Sequence, residues 1–454
     1  MKKISALIVC LVCCCTATSQ RTYTLEQLKD SALHHNIAIR HAQHSIEAAI
    51  EQRKEAFTKY FPNVSAMGLR FSASKHMAKM SFKPVDMLPK SVEPFMAALS
   101  EMLPANTLSV LTDPISFAMI KNATIGSLRA VQPVFAGGQI INGNKLAKVG
   151  EDVSRLQLQL SENEVEKATE QYFWQLASLQ EKMKTLDVVD TLLSDIHKDV
   201  DVAVRAGVIM RNDLLRVQLR QNDIESQRLK VQNNISIVRL MLTQYCGLPD
   251  TSFVITYQTD APSVLLSHQD HEQALLETAE YQLLNKQVEA ADLQKKIAVG
   301  QNLPTVAVGA AYNYHNLMEY DRSYGMVFAT VSVPISDWWG GSHNIKRRKI
   351  EYLQAQEQLA DNAELLKIRM QKAWNNVEEA YKQLLLAQRS IEQAQENLRL
   401  HRDYYRAGIS RMSDLLEAQL LYQQSLDKHT DAFANYHNKL LEYRHSTGQR
   451  DGED

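Results

Sequence analysis

The stretch from Gln139 to Val204 contains no proline, and this limits what the chain can fold into more than any other feature. From Tyr172 to Val204, apolar residues recur at a mean spacing between 3.5 and 3.6 residues, the period of the contact seam between packed long helices. A helix of this length is on the order of 100 Å long. It does not fit inside one globular core, so it must pack lengthwise against other helices. The stretch from Ser342 to Arg406 is also free of proline, so a second long helix is predicted there.

The chain repeats itself at an offset of 201 residues. Two unrelated helical regions of similar composition would not share prolines and glycines at one offset. The period is also far longer than that of a solenoid repeat, at about 20–50 residues. We therefore predict a duplicated half, with a first repeat over residues 20–250 and a second over 251–454. The matched pairs are Arg205-Ala206-Gly207 with Arg406-Ala407-Gly408, Asp213 with Asp414, Pro133 with Pro334, and Gly247 with Gly448.

Each half begins with a predicted helix that ends at a proline. The first helix is expected over Leu25–Tyr60, before Phe61-Pro62, and the second over His271–Gly300, before Leu303-Pro304. Proline removes a backbone donor and disfavours helix in the residue before it. Two strands should follow in each half, because the next residues alternate between apolar and smaller or polar types. The clearest such runs are 64–74, 306–314 and 323–333.

Each long helix should then turn back on itself as a hairpin. Gly207 and Gly408 suit the left-handed cap that ends many helices. Asn212 and Ser413 are good N-cap types, so the return helices should start near them. The predicted tips are residues 205–212 and 406–413.

Four strands in one chain do not close a barrel, and an open apolar sheet is not tolerated in a membrane. Three chains would supply twelve strands, an acceptable number. The sequence therefore favours a homotrimer. The first half also has an insertion at about 73–115, between its two strands, which we expect to be an external loop or plug. Methionine is frequent there, and its usual role is to fill gaps, although it also binds Cu(I).

Composition excludes several classes of protein. Apolar residues make up 45% of the 454, and past the N-terminus no apolar run is long enough for a membrane-spanning helix. A net charge of −2 means that the chain lacks the excess of basic residues typical of proteins that bind nucleic acid. We find no nucleophile, phosphate-binding or metal motif, and so expect no enzyme activity, cofactor or metal.

The N-terminus has the pattern of a secretory signal peptide over residues 1–19. Lys2 and Lys3 form the charged region, Ile4 to Cys15 the apolar core, and Ala17-Thr18-Ser19 the cleavage region. Cleavage there would leave Cys246 as the single cysteine, so no intrachain disulfide would form. A lipidated cysteine within 13–15 is the alternative.

These features together resemble the TolC family of outer-membrane efflux proteins over essentially the whole mature chain. The resemblance rests on the duplicated halves, the Phe61-Pro62 and Leu303-Pro304 breaks, and the Pro-x-x-x-Gly-Gly motif after the first strand pair. Above all it rests on Tyr405-Arg406-Ala407-Gly408 followed by Asp414-Leu415-Leu416-Glu417. It implies a trimer with a twelve-stranded β-barrel in the outer membrane and a long α-helical coiled-coil barrel in the periplasm. It also implies a periplasmic adaptor (membrane fusion) protein and an inner-membrane RND or ABC transporter as partners.

The resemblance also implies a gate at the second hairpin tip. Tyr405 matches the family's gate tyrosine, and Asp414 and Glu417 match its acidic constriction. Residues three apart share a helix face, so three chains would place up to six carboxylates in a ring that favours cations and raises some of their pKa values. The alternative is that Asp414 merely favours a helix N-terminus and Glu417 is solvated; for Asp213 the capping role is favoured. Ser410 stands where the best-known member has an arginine, so a different lock is expected here, with Arg406 or Arg411 as the substitute.

The two tips and a tryptophan pair complete the candidate sites. Arg205, Ala206 and Gly207, with Arg406, Ala407 and Gly408, would dock the adaptor; simple solvation is the alternative. Trp338 and Trp339 lie where strand changes to helix. They are expected to form a belt at the membrane interface, with a packed core as the alternative.

The predicted function is an exit duct that passively conducts small molecules to the exterior and opens by an iris-like motion of the helical tips. The alternative is a secreted coiled-coil structural or adhesive protein without a pore. The exported substrate and the pump class are not readable from the sequence.

Overall fold

Each half of the computed structural model runs through helix, strands and a long helical hairpin in that order. The structure describes residues 21–75, 78–89, 92, 94–96, 98, 113–119, 122–257, 268–317, 320–335 and 337–449. The predicted signal peptide at 1–19 lies outside these residues. In the first half the elements are β1 (Arg21–Tyr23), α1 (Leu25–His35), α2 (Ile37–Thr58), β2 (Asn63–Ser72), β3 (Ala78–Phe82), β4 (Ile115–Met119), β5 (Asn122–Ala136), α3 (Gln139–Arg205) and α4 (Arg211–Cys246).

The second half follows the same plan. Its elements are β6 (Phe253–Ile255), α5 (His271–Glu277), α6 (Ala279–Gln301), β7 (Thr305–Leu317), β8 (Tyr320–Ser332), α7 (Asp337–Arg406) and α8 (Met412–Ser446). The predicted mainly helical fold with two strands per repeat in one sheet is confirmed. None of the described helices is both long enough and apolar enough to cross a membrane.

The chain divides into two units. A helical unit contains Met1–Glu51, Ala147–Ala291 and Glu351–Asp454, and a sheet unit contains Gln52–Leu146 and Asp292–Ile350. The main sheet of this unit has four strands in the order β2-β5-β7-β8, all antiparallel. The register of β5 on β7 shifts between Pro133 and Phe135, which marks a bulge. Proline has no N–H for the ladder, and a bulge is one of the few places in a sheet that tolerates it.

The insertion at 73–115 begins and ends as a β-hairpin extension. Strands β3 and β4 pair antiparallel and form a small sheet of their own. Met80 and Met87 are exposed, whereas Met77 and Met102 lie outside the described residues. The expected loop or plug therefore starts with a paired stem, which the sequence did not predict.

Both predicted first helices are broken once. Asn36 separates α1 from α2, and its side-chain Oδ1 accepts the Ala38 N–H at 2.9 Å, so one residue ends the first helix and caps the second. Thr278 lies between α5 and α6, where its hydroxyl accepts the Tyr281 N–H at 3.4 Å. The stretches predicted as helical are therefore helical, and each contains one break that the sequence did not predict. Both breaks depend on side chains that compete with the helix for backbone donors.

The main core of the helical unit contains a group of packed aromatic rings among its aliphatic residues. Trp174 and Phe433 pack edge to face at 5.7 Å between ring centroids, and His437 stacks on Trp174 at 3.9 Å. Burial lowers the pKa of His437 to about 4, so its ring is neutral at ordinary pH. A buried ion pair joins α1 to α3, with Lys29 Nζ 2.6 Å from Glu170 Oε2. Trp174 Nε1 donates to the other oxygen of Glu170 at 3.2 Å, so the carboxylate is compensated twice.

In the sheet unit, Gly137 is the residue that permits the turn from β5 into α3. Its φ of +59° is left-handed, and a Cβ there would lie 2.2 Å from the carbonyl oxygen of Gly300. A Cβ on Gly300 would lie 2.3 Å from the Gly137 oxygen in return. Two backbones therefore meet at a distance that only glycine permits.

Gly137→Ala should lower the stability of the folded protein markedly. The left-handed conformation alone costs a residue with a Cβ about 1–2 kcal/mol, and the contact with Gly300 adds to it. The measurement is the apparent Tm of the purified protein, followed by its helical circular dichroism. Gly143→Ala is the matched control, because nothing lies within 4 Å of its Cβ position in α3. That variant should be unchanged or more stable by about 0.5–1 kcal/mol. Equal Tm values for the two variants would contradict the close approach.

Candidate functional site

The two hairpin tips are built by the same capping motif. At the end of α3, the Val208 N–H donates to Ala203 O and the Gly207 N–H to Val204 O, each at 3.0 Å. At the end of α7, the Ile409 N–H donates to Tyr404 O at 2.9 Å, and the Gly408 N–H donates to Tyr405 O at 3.0 Å. This is the Schellman motif, which requires a left-handed residue, and Gly207 and Gly408 have φ of +72° and +74°. The glycines predicted as caps are confirmed.

The return helices start slightly earlier than predicted. Helices α4 and α8 begin at Arg211 and Met412, so their N-caps are Met210 and Arg411. Asn212 and Ser413 lie inside the first turn, and their prediction as N-caps is wrong. Met210 and Arg411 have no side-chain oxygen, so neither side chain accepts a hydrogen bond from the first turn of its helix.

In the second hairpin, Asp414 caps the start of α8 from inside the helix. Its Oδ2 accepts the Arg411 N–H at 3.2 Å, and it also accepts the Ser410 hydroxyl at 3.2 Å. The Ser413 hydroxyl donates to Oδ1 at 2.9 Å. The bond from Ser413, followed by that from Arg411, lowers the pKa of Asp414. Ser410, which departs from the family pattern, is therefore part of a local cap.

The sign of this shift fixes its pH dependence. A carboxyl group whose pKa is lowered by folding stabilises the folded state when it is ionised. That contribution is present above about pH 4, the ordinary range of an aspartate, and is lost as the pH falls through the lowered value. Within one chain, Asp414 therefore stays charged at neutral pH.

Glu417 and Tyr405 have different surroundings. The Glu417 side chain is exposed in the single chain. Tyr405 is half-buried against the apolar cluster near the tips, which joins α3 and α4 to α8. Burial, together with the negative charges of Asp213 and Asp199, raises the pKa of Tyr405. The tyrosine therefore lies beside the first hairpin and keeps its hydroxyl proton.

The tips of the two hairpins are held side by side. Arg406 Nη2 of the second lies 3.5 Å from Asp199 Oδ2 of the first. Arg205 instead pairs with Asp201 of its own helix. Val208 and Ile409, at equivalent positions just past the two glycines, are each 76% exposed. No motif in the sequence marks these two apolar residues, although they are related by the same offset of 201.

Trp338 and Trp339 lie in the first turn of α7, in the sheet unit. Trp338 Nε1 donates to the Asn302 carbonyl at 3.0 Å, and Trp339 is 82% exposed. In the single chain the pair is not packed into a core. Among the described residues, no group of three or more metal-ligating side chains is close enough to hold an ion.

Comparison with known families gives a match in the second half of the chain. Residues 271–449 match the family model described as "Outer membrane efflux protein". Over this segment, the chain is therefore similar to the outer membrane efflux proteins. The matched segment covers the whole second hairpin, including Tyr405, Asp414 and Glu417. The resemblance to the TolC family predicted from the sequence is confirmed.

Solved structures of the same fold cover nearly the full length of the chain. The outer membrane protein VceC from Vibrio cholerae is similar with a TM-score of 0.71 and 13% identity, over 94% of this chain and 96% of that one. CusC gives 0.75 and 13%, over 94% and 92%. The MtrE outer membrane channel of Neisseria gonorrhoeae, in its open state, gives 0.70 and 14%, over 94% and 89%. No curated protein sequence is similar enough to this chain to count as a relative.

The capping role of Asp414 leads to a prediction. Asp414→Ala should raise the rate of backbone hydrogen–deuterium exchange over residues 411–416, because the Arg411 N–H and the start of α8 lose their acceptor. Loss of a cap of this kind corresponds to roughly a fivefold rise in local opening. Glu417→Ala is the matched control, one turn further along the same helix, and should leave this exchange unchanged. Equal exchange in both variants would contradict the cap.

Proposed function

We propose that this chain forms, as a homotrimer, the outer-membrane exit duct of a tripartite efflux or type I secretion system. The duct conducts small molecules passively from the periplasm, or from a pump, to the exterior of a Gram-negative cell. The periplasmic helical tips gate it by an iris-like opening. An adaptor protein and an inner-membrane RND or ABC transporter supply the coupling and the energy.

The four-stranded sheet carries this proposal. Its outer strands β2 and β8 each have one edge without a neighbour in the sheet of the described chain. Its strands expose large apolar side chains, among them Val64, Met67, Tyr312, Val327 and Val331. An apolar sheet with two open edges is an aggregation hazard in water and is not tolerated in lipid. Closure with two further copies into twelve strands removes both edges and gives the apolar side chains a lipid face.

The long hairpins support the helical part of the duct. Many apolar side chains of α3, α4 and α7 are exposed in the single chain, including Val188, Leu219 and Ile368. Neighbouring copies packed along the hairpins would cover such residues. The MtrE channel, which shares this fold, was solved in an open state. We propose that the tips of this chain also have an open and a closed arrangement, and that gating is the change between them.

The gate consists of Tyr405, Asp414 and Glu417. Tyr405, on the second hairpin, packs against the first hairpin close to Asp213 and Asp199. Asp414 caps α8 and stays ionised, and the exposed Glu417 is available to face a pore. Three copies of both carboxylates would favour cations at the constriction.

The hairpin tips are the proposed contact site for the adaptor protein, and the two tryptophans are the proposed contact site for lipid. Arg205, Ala206 and Gly207, with Arg406, Ala407 and Gly408, form the adaptor-docking surface, next to the exposed Val208 and Ile409. Trp338 and Trp339 contact outer-membrane lipid at the interface, which the exposure of Trp339 supports.

A first test separates the duct from a secreted coiled-coil protein without a pore. The mature chain should require detergent for solubility, have the mass of a trimer by light scattering, and give discrete conductance steps in planar bilayers. The physical reason is the apolar outer face of a closed barrel. A water-soluble monomer with no conductance would contradict the proposal and favour the coiled-coil alternative.

A second test addresses the acidic constriction. The double variant Asp414→Asn and Glu417→Gln should lose preference for cations, with its cation-to-anion permeability ratio moving towards one, because the ring charge is removed. Block by multivalent cations should weaken with it. The control is Asp213→Asn, at the equivalent position of the first hairpin, where capping is the expected role. An unchanged permeability ratio in the double variant would remove the ring from the proposal.

A further inference from the structure

A polar group interrupts the apolar contact between the two hairpins of one chain. Helix α4 of the first hairpin and α8 of the second pack through residues such as Val217, Ile224, Leu415 and Ala418. Polar side chains lie among them, two turns apart on α4 and one turn apart on α8. The four residues Arg220, Gln227, Gln419 and Gln423 are called the amide clamp below.

The clamp joins the two helices by three hydrogen bonds. Arg220 Nε donates to Gln419 Oε1 at 3.0 Å, and Arg220 Nη2 donates to Gln423 Oε1 at 2.7 Å. Gln423 Nε2 then donates to Gln227 Oε1 at 2.8 Å. Residues four apart on α8 share one face, so both glutamines point at the same arginine.

The glutamines of α8 are buried, and the clamp is incompletely satisfied. Gln419 is 0% and Gln423 is 3% exposed. In the described part of the chain, no carboxylate lies within 4.0 Å of the Arg220 guanidinium, and Asp223 attracts it only at longer range. Burial lowers the pKa of Arg220. The Nε2 of Gln419 has no hydrogen-bond partner among the described residues.

Breaking these hydrogen bonds costs less free energy than separating a buried ion pair. Parting a buried carboxylate from arginine leaves an uncompensated charge on each side, which is strongly unfavourable unless water reaches both. Parting Arg220 from the glutamines leaves neutral amides on α8, while the guanidinium regains its hydration. The orphaned N–H of Gln419 also gains a water partner when the helices separate. The contact is therefore directional enough to set the register of α8 on α4, and still reversible.

We propose that the amide clamp is a reversible latch, which holds the second hairpin against the first and sets how often the tips open without a partner. Only the effect of the latch on conduction depends on the proposed function. Its effect on the contact between α4 and α8 is independent of any pore. The latch lies on the return helices, at residues separate from the proposed gate of Tyr405, Asp414 and Glu417.

The first arm of the test removes the latch. Arg220→Ala in the full mature chain, purified in detergent, should raise the rate of hydrogen–deuterium exchange over residues 214–224 and 415–424. Loss of two hydrogen bonds from a charged donor predicts at least about a tenfold rise in local opening. Arg216→Ala is the matched control, because Arg216 is an exposed arginine one turn earlier on α4. It should leave the exchange within about twofold of the wild type, the scale of surface substitutions.

The second arm tightens the latch. Gln419→Glu keeps the side-chain shape, removes the orphaned N–H and gives Arg220 a carboxylate. Exchange over the same segments should fall by about tenfold, because an ion pair replaces a neutral acceptor. In planar bilayers, Arg220→Ala should raise the open probability relative to Arg216→Ala, and Gln419→Glu should lower it.

The outcomes separate the latch from the duct. Opposite shifts of exchange in Arg220→Ala and Gln419→Glu support the latch even if no variant conducts, in which case the proposed duct fails and the latch stands. Conduction by the wild type, with exchange in Arg220→Ala equal to that in Arg216→Ala, overturns the latch and leaves the duct. If Arg220→Ala loses its helical circular dichroism, Gln419→Glu decides: slower exchange supports the latch, and unchanged or faster exchange overturns it.

Discussion

A helix of about seventy residues has an apolar seam that must be covered along its length, and the helical unit depends on this requirement. Helices α3 and α7 contain 67 and 70 residues. Intrinsic helix propensity alone does not hold such helices in place, because most helical stability in proteins comes from packing of the apolar face. Each long helix is therefore followed by a return helix, α4 or α8, and the two hairpins pack against each other through a shared apolar cluster near the tips.

The second requirement is that both hairpins reverse direction at the same place. Identical Schellman motifs at Gly207 and Gly408 meet it, and the same motif recurs at Gly247, where Leu248 N–H donates to Thr243 O, and at Gly448. Polar contacts then adjust the fit. Arg406 reaches Asp199 at the tips, and Arg220 bridges to two glutamines further along the return helices. The apolar seam buries surface between the hairpins, whereas these polar contacts are directional and pair particular residues.

The sequence predicted the repeat, the two long hairpins, their glycine caps and the four strands, because these depend on periodicity, glycine and proline. It placed the N-caps wrongly, since Asp414 caps α8 from inside the helix and no local pattern distinguishes this from a cap by Ser413. It also missed the breaks at Asn36 and Thr278, where a side chain competes with an otherwise regular helix. The gate residues were proposed from a family resemblance, and the structure adds their local partners. The amide clamp was beyond prediction, because Gln419 and Gln423 lie 199 and 203 residues from Arg220 in sequence.

The equivalent geometry of the two tips has a consequence for how proteins of this architecture can change in length. The return helices α4 and α8 contain 36 and 35 residues, and their starts are offset by the same 201 residues as the glycine caps. Removing one heptad from each helix of a single hairpin would leave the other hairpin protruding by about two turns and would break the contact between Arg406 and Asp199. Insertions and deletions in the helices should therefore be inherited in matched sets of four, one in each ascending and each descending segment.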